Sequence, residues 1–190
     1  TYAKTLSPSA TKQILVKVMP GVYSETLTLD TDYISVDGSG QESTKLTQGA
    51  IDVSTLTVSA NVSGVLVSNM WIENSNILSE NGGVKHAVEF TTTSNPTFKN
   101  NKLTSDGYYP RILVAQGGYF YNNFFTGVQP TIFSATAGTF EDNRMVTTTN
   151  GRLTGSVATG VVLRGNTISV GSGSNDVIAG GTFIDNYYAS

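Results

Sequence analysis

The chain contains no cysteine, which excludes disulfides, thiolate metal sites and cysteine nucleophiles. Charge is scarce too. Only 13% of the 190 residues are Asp, Glu, Lys or Arg, the formal net charge is −3, and Lys and Arg form no run. Such a surface offers no footprint for a phosphate backbone, so no nucleic-acid partner is expected. No apolar stretch approaches the roughly 18 residues of a membrane span, and no charged-then-apolar signal segment opens the chain, so no membrane partner is expected either. Histidine occurs once, as His86. The chain opens at Thr1, as a processed or trimmed piece would.

What is present is glycine (20 residues), many Ser, Thr and Asn, and 38% hydrophobic residues. Low charge with that apolar share argues for one folded core, and short strands joined by tight turns fit the turn-residue content. Asn61-Val62-Ser63 matches a glycosylation sequon, which matters only in a secreted eukaryotic setting.

The organising signal is a repeat. Asn69, Asn101, Asn123, Asn143, Asn166 and Asn186 are each preceded three residues earlier by Leu66, Phe98, Phe120, Phe140, Leu163 and Phe183. Each is followed two residues later by Trp71, Leu103, Phe125, Met145, Ile168 and Tyr188. The asparagines are spaced by 32, 22, 20, 23 and 20 residues, the period of stacked supersecondary units. Each unit divides into three short strands, as in Ile112 to Ala115, Gly118 to Tyr121 and Phe124 to Thr126. A unit this small cannot bury its own apolar face, so successive units must stack in parallel at about 4.8 Å around a shared core.

The expected fold is therefore all-β, a right-handed single-stranded parallel β-helix of about seven to eight rungs and about 35 to 40 Å long. It forms one domain over 1–190, less regular over 1–50 and regular over 51–190. The asparagines are expected as turn hinges near the left-handed region, with side chains bonding up the column. The phenylalanines are expected as a core stack. An insertion near Glu73 to Lys85 should leave the coil as a loop, where binding groups are often mounted. The last residues, Tyr187 to Ser190, are expected to leave a strand edge uncovered, which invites another chain.

Val16 to Thr47, with Val18-Met19-Pro20-Gly21-Val22-Tyr23-Ser24-Glu25 and Ile34-Ser35-Val36-Asp37-Gly38-Ser39-Gly40, resembles the opening rungs of pectinesterases in the pectin-lyase-like superfamily. Phe125-Thr126-Gly127-Val128-Gln129-Pro130-Thr131-Ile132-Phe133-Ser134 resembles that family's Gly-x-Val-Asp-Phe-Ile-Phe-Gly block, and Thr159 to Asn166 is similar to a later rung. The resemblance implies a two-carboxylate chemistry, with one Asp attacking or deprotonating, a second as general acid, an Arg binding the substrate carboxylate and a Gln holding the oxyanion. At those positions this chain reads Gln129-Pro130, Tyr109-Pro110-Arg111 and Val157-Ala158. No catalytic residue is assigned.

Other sites fare no better. Alternation places His86, Val88 and Phe90 on one face with Glu89 opposite, and a structural His86 is expected. Asp106, Asp142, Asp176 and Asp185 fall on different parts of their rungs, so no calcium site, no other metal and no cofactor is expected. Asp142 and Asp185 directly precede repeat asparagines, where Asp satisfies local backbone. The turn Asp106-Gly107-Tyr108-Tyr109-Pro110-Arg111 supplies the contact candidates Asp106, Tyr108, Tyr109 and Arg111, for a sugar, a protein partner or a neighbouring rung.

These readings make the chain a non-enzymatic structural or surface-recognition module. A virion component is expected, such as a capsid decoration, head fibre or tail-spike-like part, located at a virion surface or outside the cell. Its expected partners are two further copies in a homotrimer and a larger capsid or tail, with a polysaccharide as a further ligand. The alternatives are a carbohydrate esterase or polysaccharide lyase with a relocated site and a secreted glycan-binding module.

Overall fold

The computed structural model describes residues 2–50, 53–75, 86–105, 113–127, 133–147, 155–169, 178–179 and 181–189. The chain winds as a coil of short parallel strands. Its first side starts at Ile14–Lys17, its second at Gly21–Tyr23 and its third at Leu27–Leu29, after which the order repeats. Each strand pairs with the strand one turn later, so Ile14–Lys17 lies beside Ile34–Asp37 and Gly21–Tyr23 beside Thr44–Gln48. The second side is an eight-stranded sheet. The first and third sides join into one sheet where Phe133–Glu141 and Gly155–Arg164 run around their shared corner without a break.

Side chains alternate across each strand, and the inward columns fill the core. On the first side the register stacks Val36, Val67, Phe98, Phe120, Phe140 and Leu163, all buried. On the second it stacks Leu46, Ile72, Leu103, Phe125, Met145 and Ile168, also buried. The next members of these columns, Phe183 and Tyr188, are 39% and 60% exposed. Phe98 and Phe120 stack at 5.1 Å and Phe120 and Phe140 at 4.6 Å between ring centroids, as the repeat predicts.

The first repeat segment is corrected by one residue. Val67 rather than Leu66 pairs with Phe98, and Ile72 rather than Trp71 pairs with Leu103. Met70, not Asn69, donates its backbone N–H to Asn101 Oδ1. Because the side-chain period in a strand is two, this slip sends Leu66 and Trp71 to the outer surface.

The hinge role holds for Asn69 and is corrected for the other five asparagines. The left-handed corner residues are Asn69, before Met70, and Asn100, Asn122, Asp142, Gly165 and Asp185, each just before a ladder asparagine, with φ between 48° and 64°. Asn101, Asn123, Asn143 and Asn166 instead point into the corner and are buried. The pair divides the labour. The outer residue supplies the bend that Asn, Asp or Gly tolerates, and the inner one satisfies buried backbone.

The expected insertion begins later than Glu73. Glu73 and Asn74 belong to the second-side strand Trp71–Asn74 and are buried; residues 76–85 lie outside the described residues. At the other end of the coil, a short helix, α1 (Tyr2–Thr5), lies at the mouth of the first turn, tied by the Lys4–Asp30 ion pair at 2.6 Å. A cavity of about 670 Å³ opens there, lined by Tyr2, Lys4, Val16, Val18, Leu27 and Val36 among others.

Candidate functional site

The four contact candidates from the sequence, Asp106, Tyr108, Tyr109 and Arg111, lie outside the described residues, as do Gln129 and Pro130. Among the described residues, three groups of side chains come together.

The first lies on the third side. Strand Val88–Phe90 turns Val88 and Phe90 into the core and leaves Glu89 half-buried on the outer face. Ser54 Oγ donates to Glu89 Oε2 at 2.6 Å. The same hydroxyl oxygen accepts from the His86 backbone N–H at 3.0 Å. The His86 carbonyl accepts from Thr55 N at 3.1 Å and Asn74 Nδ2 at 3.3 Å. His86 is buried beside the core, as a structural histidine should be. Along the strand register Glu89 is followed by Val114 and Ser134 and preceded by Thr57 and Thr28, so Glu89 is the one ionisable residue of that row among the described residues.

The second group crosses the second side. Lys45, Trp71 and Lys102 are register partners on three successive strands, and both ammonium groups lie 3.9 Å from the indole ring. Glu73 binds Lys45 Nζ at 2.7 Å and accepts from Thr47 Oγ1 at 2.8 Å. Trp71 Nε1 donates to Thr104 Oγ1 at 2.7 Å, and Lys102 pairs with Glu42 at 2.9 Å. Every charge here has its counter-charge, so the group clamps three rungs together.

The third group stands on the outer face of the first side. Tyr119 donates its hydroxyl to Glu141 Oε2 at 2.5 Å, and Arg164 Nη2 holds the same oxygen at 2.8 Å. The carboxylate accepting its proton raises the Tyr119 hydroxyl to about 12. The Tyr119 hydrogen bond and then Arg164 hold Glu141 below the usual carboxylate range, and the hydrogen bond to Glu141 raises Arg164. Nothing in the repeat singles this group out, although Tyr119, Tyr121, Glu141 and Arg164 each flank a residue of the core column and alternation alone turns them outward.

Among the described residues no group of three or more His, Asp or Glu is placed to hold a metal ion. What these arrangements offer is hydrogen bonding, aromatic surface and ion pairing.

The architecture is shared with solved structures. Pectin methylesterase PemA from Erwinia chrysanthemi superposes with a TM-score of 0.71 at 15% identity, over 90% of this chain and 61% of that enzyme. This is the fold of the pectin methylesterases. The carrot pectin methylesterase gives 0.63 at 12% identity over 99% of this chain and 78% of that one. The enzyme from Yersinia enterocolitica gives 0.60 at 12% identity over 100% and 90%. No protein-family model and no curated protein sequence matches the chain. At these identities the pectin-methylesterase likeness is one of fold, the right-handed β-helix of the pectin-lyase type expected from the opening rungs, and this chain spans less than two thirds of the Erwinia enzyme's length.

Proposed function

We propose that this chain is a non-enzymatic β-helix module for structure or surface recognition, built on the pectin-methylesterase fold. One observation carries the reading: where the family block would place an acid, the sequence has Gln129-Pro130, and where it would place an arginine it has Val157-Ala158. A pair of carboxylates is what such hydrolysis uses, and on the third side Val157 pairs with Ala135, two residues without a proton to give or take. The module acts at the surface of a larger assembly, a virion part such as a capsid decoration or tail-spike-like piece, as a side-by-side trimer. Asp106, Tyr108, Tyr109 and Arg111 are its proposed contact residues at that assembly.

The decisive measurement is methanol release from highly methylated pectin, with no release above the blank expected. Sedimentation should return three times the 20.1 kDa chain mass, and replacing Tyr108, Tyr109 and Arg111 together should weaken that assembly. A second reading is favoured by the fold comparison: an esterase with a relocated site. It requires methanol release that Glu89→Gln abolishes, because Glu89 is the one acid in its row on the third side among the described residues.

A further inference from the structure

The outer face of the first side carries a patch that the esterase comparison leaves without a role. Tyr119 and Tyr121 flank the buried Phe120 on the strand Tyr119–Tyr121. Their ring centroids are 6.1 Å apart and their planes agree within 13°. The two near-parallel rings stand on the outer face, Tyr119 36% exposed and Tyr121 half-buried, and together form an aromatic platform. Tyr119 is also fixed in place, since its hydroxyl is bound to Glu141 and Glu141 to Arg164.

Polar groups border this platform. Lys99 Nζ stands 5.5 Å from the Tyr121 centroid and, among the described residues, has no carboxylate partner. Asn122, exposed at the corner beside Tyr121, donates to Asn100 Oδ1 at 2.8 Å. Among the described residues its own carbonyl oxygen accepts nothing. Thr97 and Thr139 stand on either side of Tyr119 in the register. An apolar platform with a few donors and an amide acceptor at its edge suits a pyranose ring, whose C–H face stacks on an aromatic while its hydroxyls both give and take hydrogen bonds.

Charge decides which saccharide. Glu141 and Arg164 neutralise each other, Asp142 lies close enough to act on Arg164, and the whole chain carries −3. A polyanion would gain the Lys99 ammonium alone and approach an acidic molecule. The geometry points to an uncharged polysaccharide as the ligand of this face, with a sugar ring stacked on Tyr119 and Tyr121 and its hydroxyls bonded to Asn122 and Lys99. This deepens the recognition-module reading and rests on it.

The test is native affinity electrophoresis of the full chain in gels containing xyloglucan, glucomannan or dextran, with polygalacturonate in a parallel gel. Retardation is expected in at least one neutral gel and not with polygalacturonate. Tyr119→Ala with Tyr121→Ala should weaken apparent affinity at least about tenfold. Tyr119→Phe keeps the ring while losing the Glu141 bond, and should stay within about twofold of the parent. Unfolding midpoints of each variant show whether it is folded, and Tyr121→Ala alone carries the same expectation as the double variant if that one is not. The inference is overturned by a parent chain unretarded in every neutral gel, by retention of binding in the alanine variants, by loss of binding in Tyr119→Phe, or by retardation with polygalacturonate alone. Methanol release from pectin by the same samples reads the esterase alternative separately, so either reading can fail without the other.

Discussion

Asn123 Oδ1 accepts two hydrogen bonds from Asn101 one rung away, from its backbone N–H at 2.9 Å and from its Nδ2 at 3.2 Å. Asn123 Nδ2 in turn donates to Phe98 O at 2.9 Å and to Asn143 Oδ1 at 3.1 Å. Both amide hydrogens and the carbonyl oxygen are thus spent inside a buried corner, and Asn143 and Asn166 repeat the arrangement. Asn123→Ala leaves the Asn101 N–H and the Phe98 carbonyl without these partners. Each orphaned buried group costs about 1–3 kcal/mol, so a loss of roughly 3 kcal/mol is expected in urea unfolding. Asn122→Ala, at the exposed neighbour, should cost less, about 1–2 kcal/mol for its left-handed backbone.

The phenylalanine column makes a second prediction. Phe120 is fully buried and stacks on Phe98 and Phe140. Phe120→Ala should lower the unfolding free energy by about 3–5 kcal/mol. Phe183→Ala, at the 39% exposed end of the same column, should cost less than half as much. Equal losses at the two positions would contradict a core that is packed from both sides at Phe120 and from one at Phe183.

How much of this was legible beforehand differs by level. Period and apolar columns revealed the coil, because stacking fixes both. They misplaced Leu66, Asn69 and Trp71, since Asn69 and Met70 take the places that Asn100 and Asn101 take one rung later. An asparagine is acceptable at either position of the corner, one for its backbone and the other for its amide. Only the register of Val67 on Phe98 separates them. The outer clusters were harder to see, because Tyr119, Glu141 and Arg164 are 22 and 23 residues apart, and pairing of the rungs is what joins them.

The corner backbone can be tested through Gly165. It takes the left-handed position with φ 64°, where Asp142 stands one rung earlier with φ 53°. A Cβ added at Gly165 would clash with Asp142 Oδ1. Gly165→Ala combines that clash with left-handed strain of about 1–2 kcal/mol. Asp142→Gly removes the clash and leaves the strain at position 165, so the double variant should recover part of the loss, read as a non-additive pair in urea unfolding.

Acid should act through Asp37. The hydrogen bond from Lys17 holds its carboxyl below the usual carboxylate range, and Ser68 and Asn69 add to this against the cost of burial. A depressed folded pKa means stability that is present above the unfolded value and lost as pH falls through the folded one. The urea midpoint should therefore drop as pH is lowered from about 4 towards 2. In Asp37→Asn that part of the acid limb should flatten, and a variant as acid-sensitive as the parent would place the titrating group elsewhere.

Trp71 is the chain's single tryptophan, so its fluorescence reports the clamp on the second side directly. Lys45 and Lys102 approach the indole at the same distance, 3.9 Å, from strands on opposite sides of it. Each contact is expected to contribute about 0.5–2 kcal/mol, more where the ammonium is desolvated. Lys45 also carries the Glu73 ion pair, and Glu73 is buried. Removing Lys45 therefore leaves a buried carboxylate with only Thr47 as its hydroxyl partner, a more costly state than the loss of Lys102 from the exposed Glu42. Lys45→Gln should destabilise the fold by more than Lys102→Gln does, while both should change the tryptophan emission. A Lys45→Gln, Glu73→Gln double variant should regain stability over the single lysine change, because no charge is then left buried without its partner.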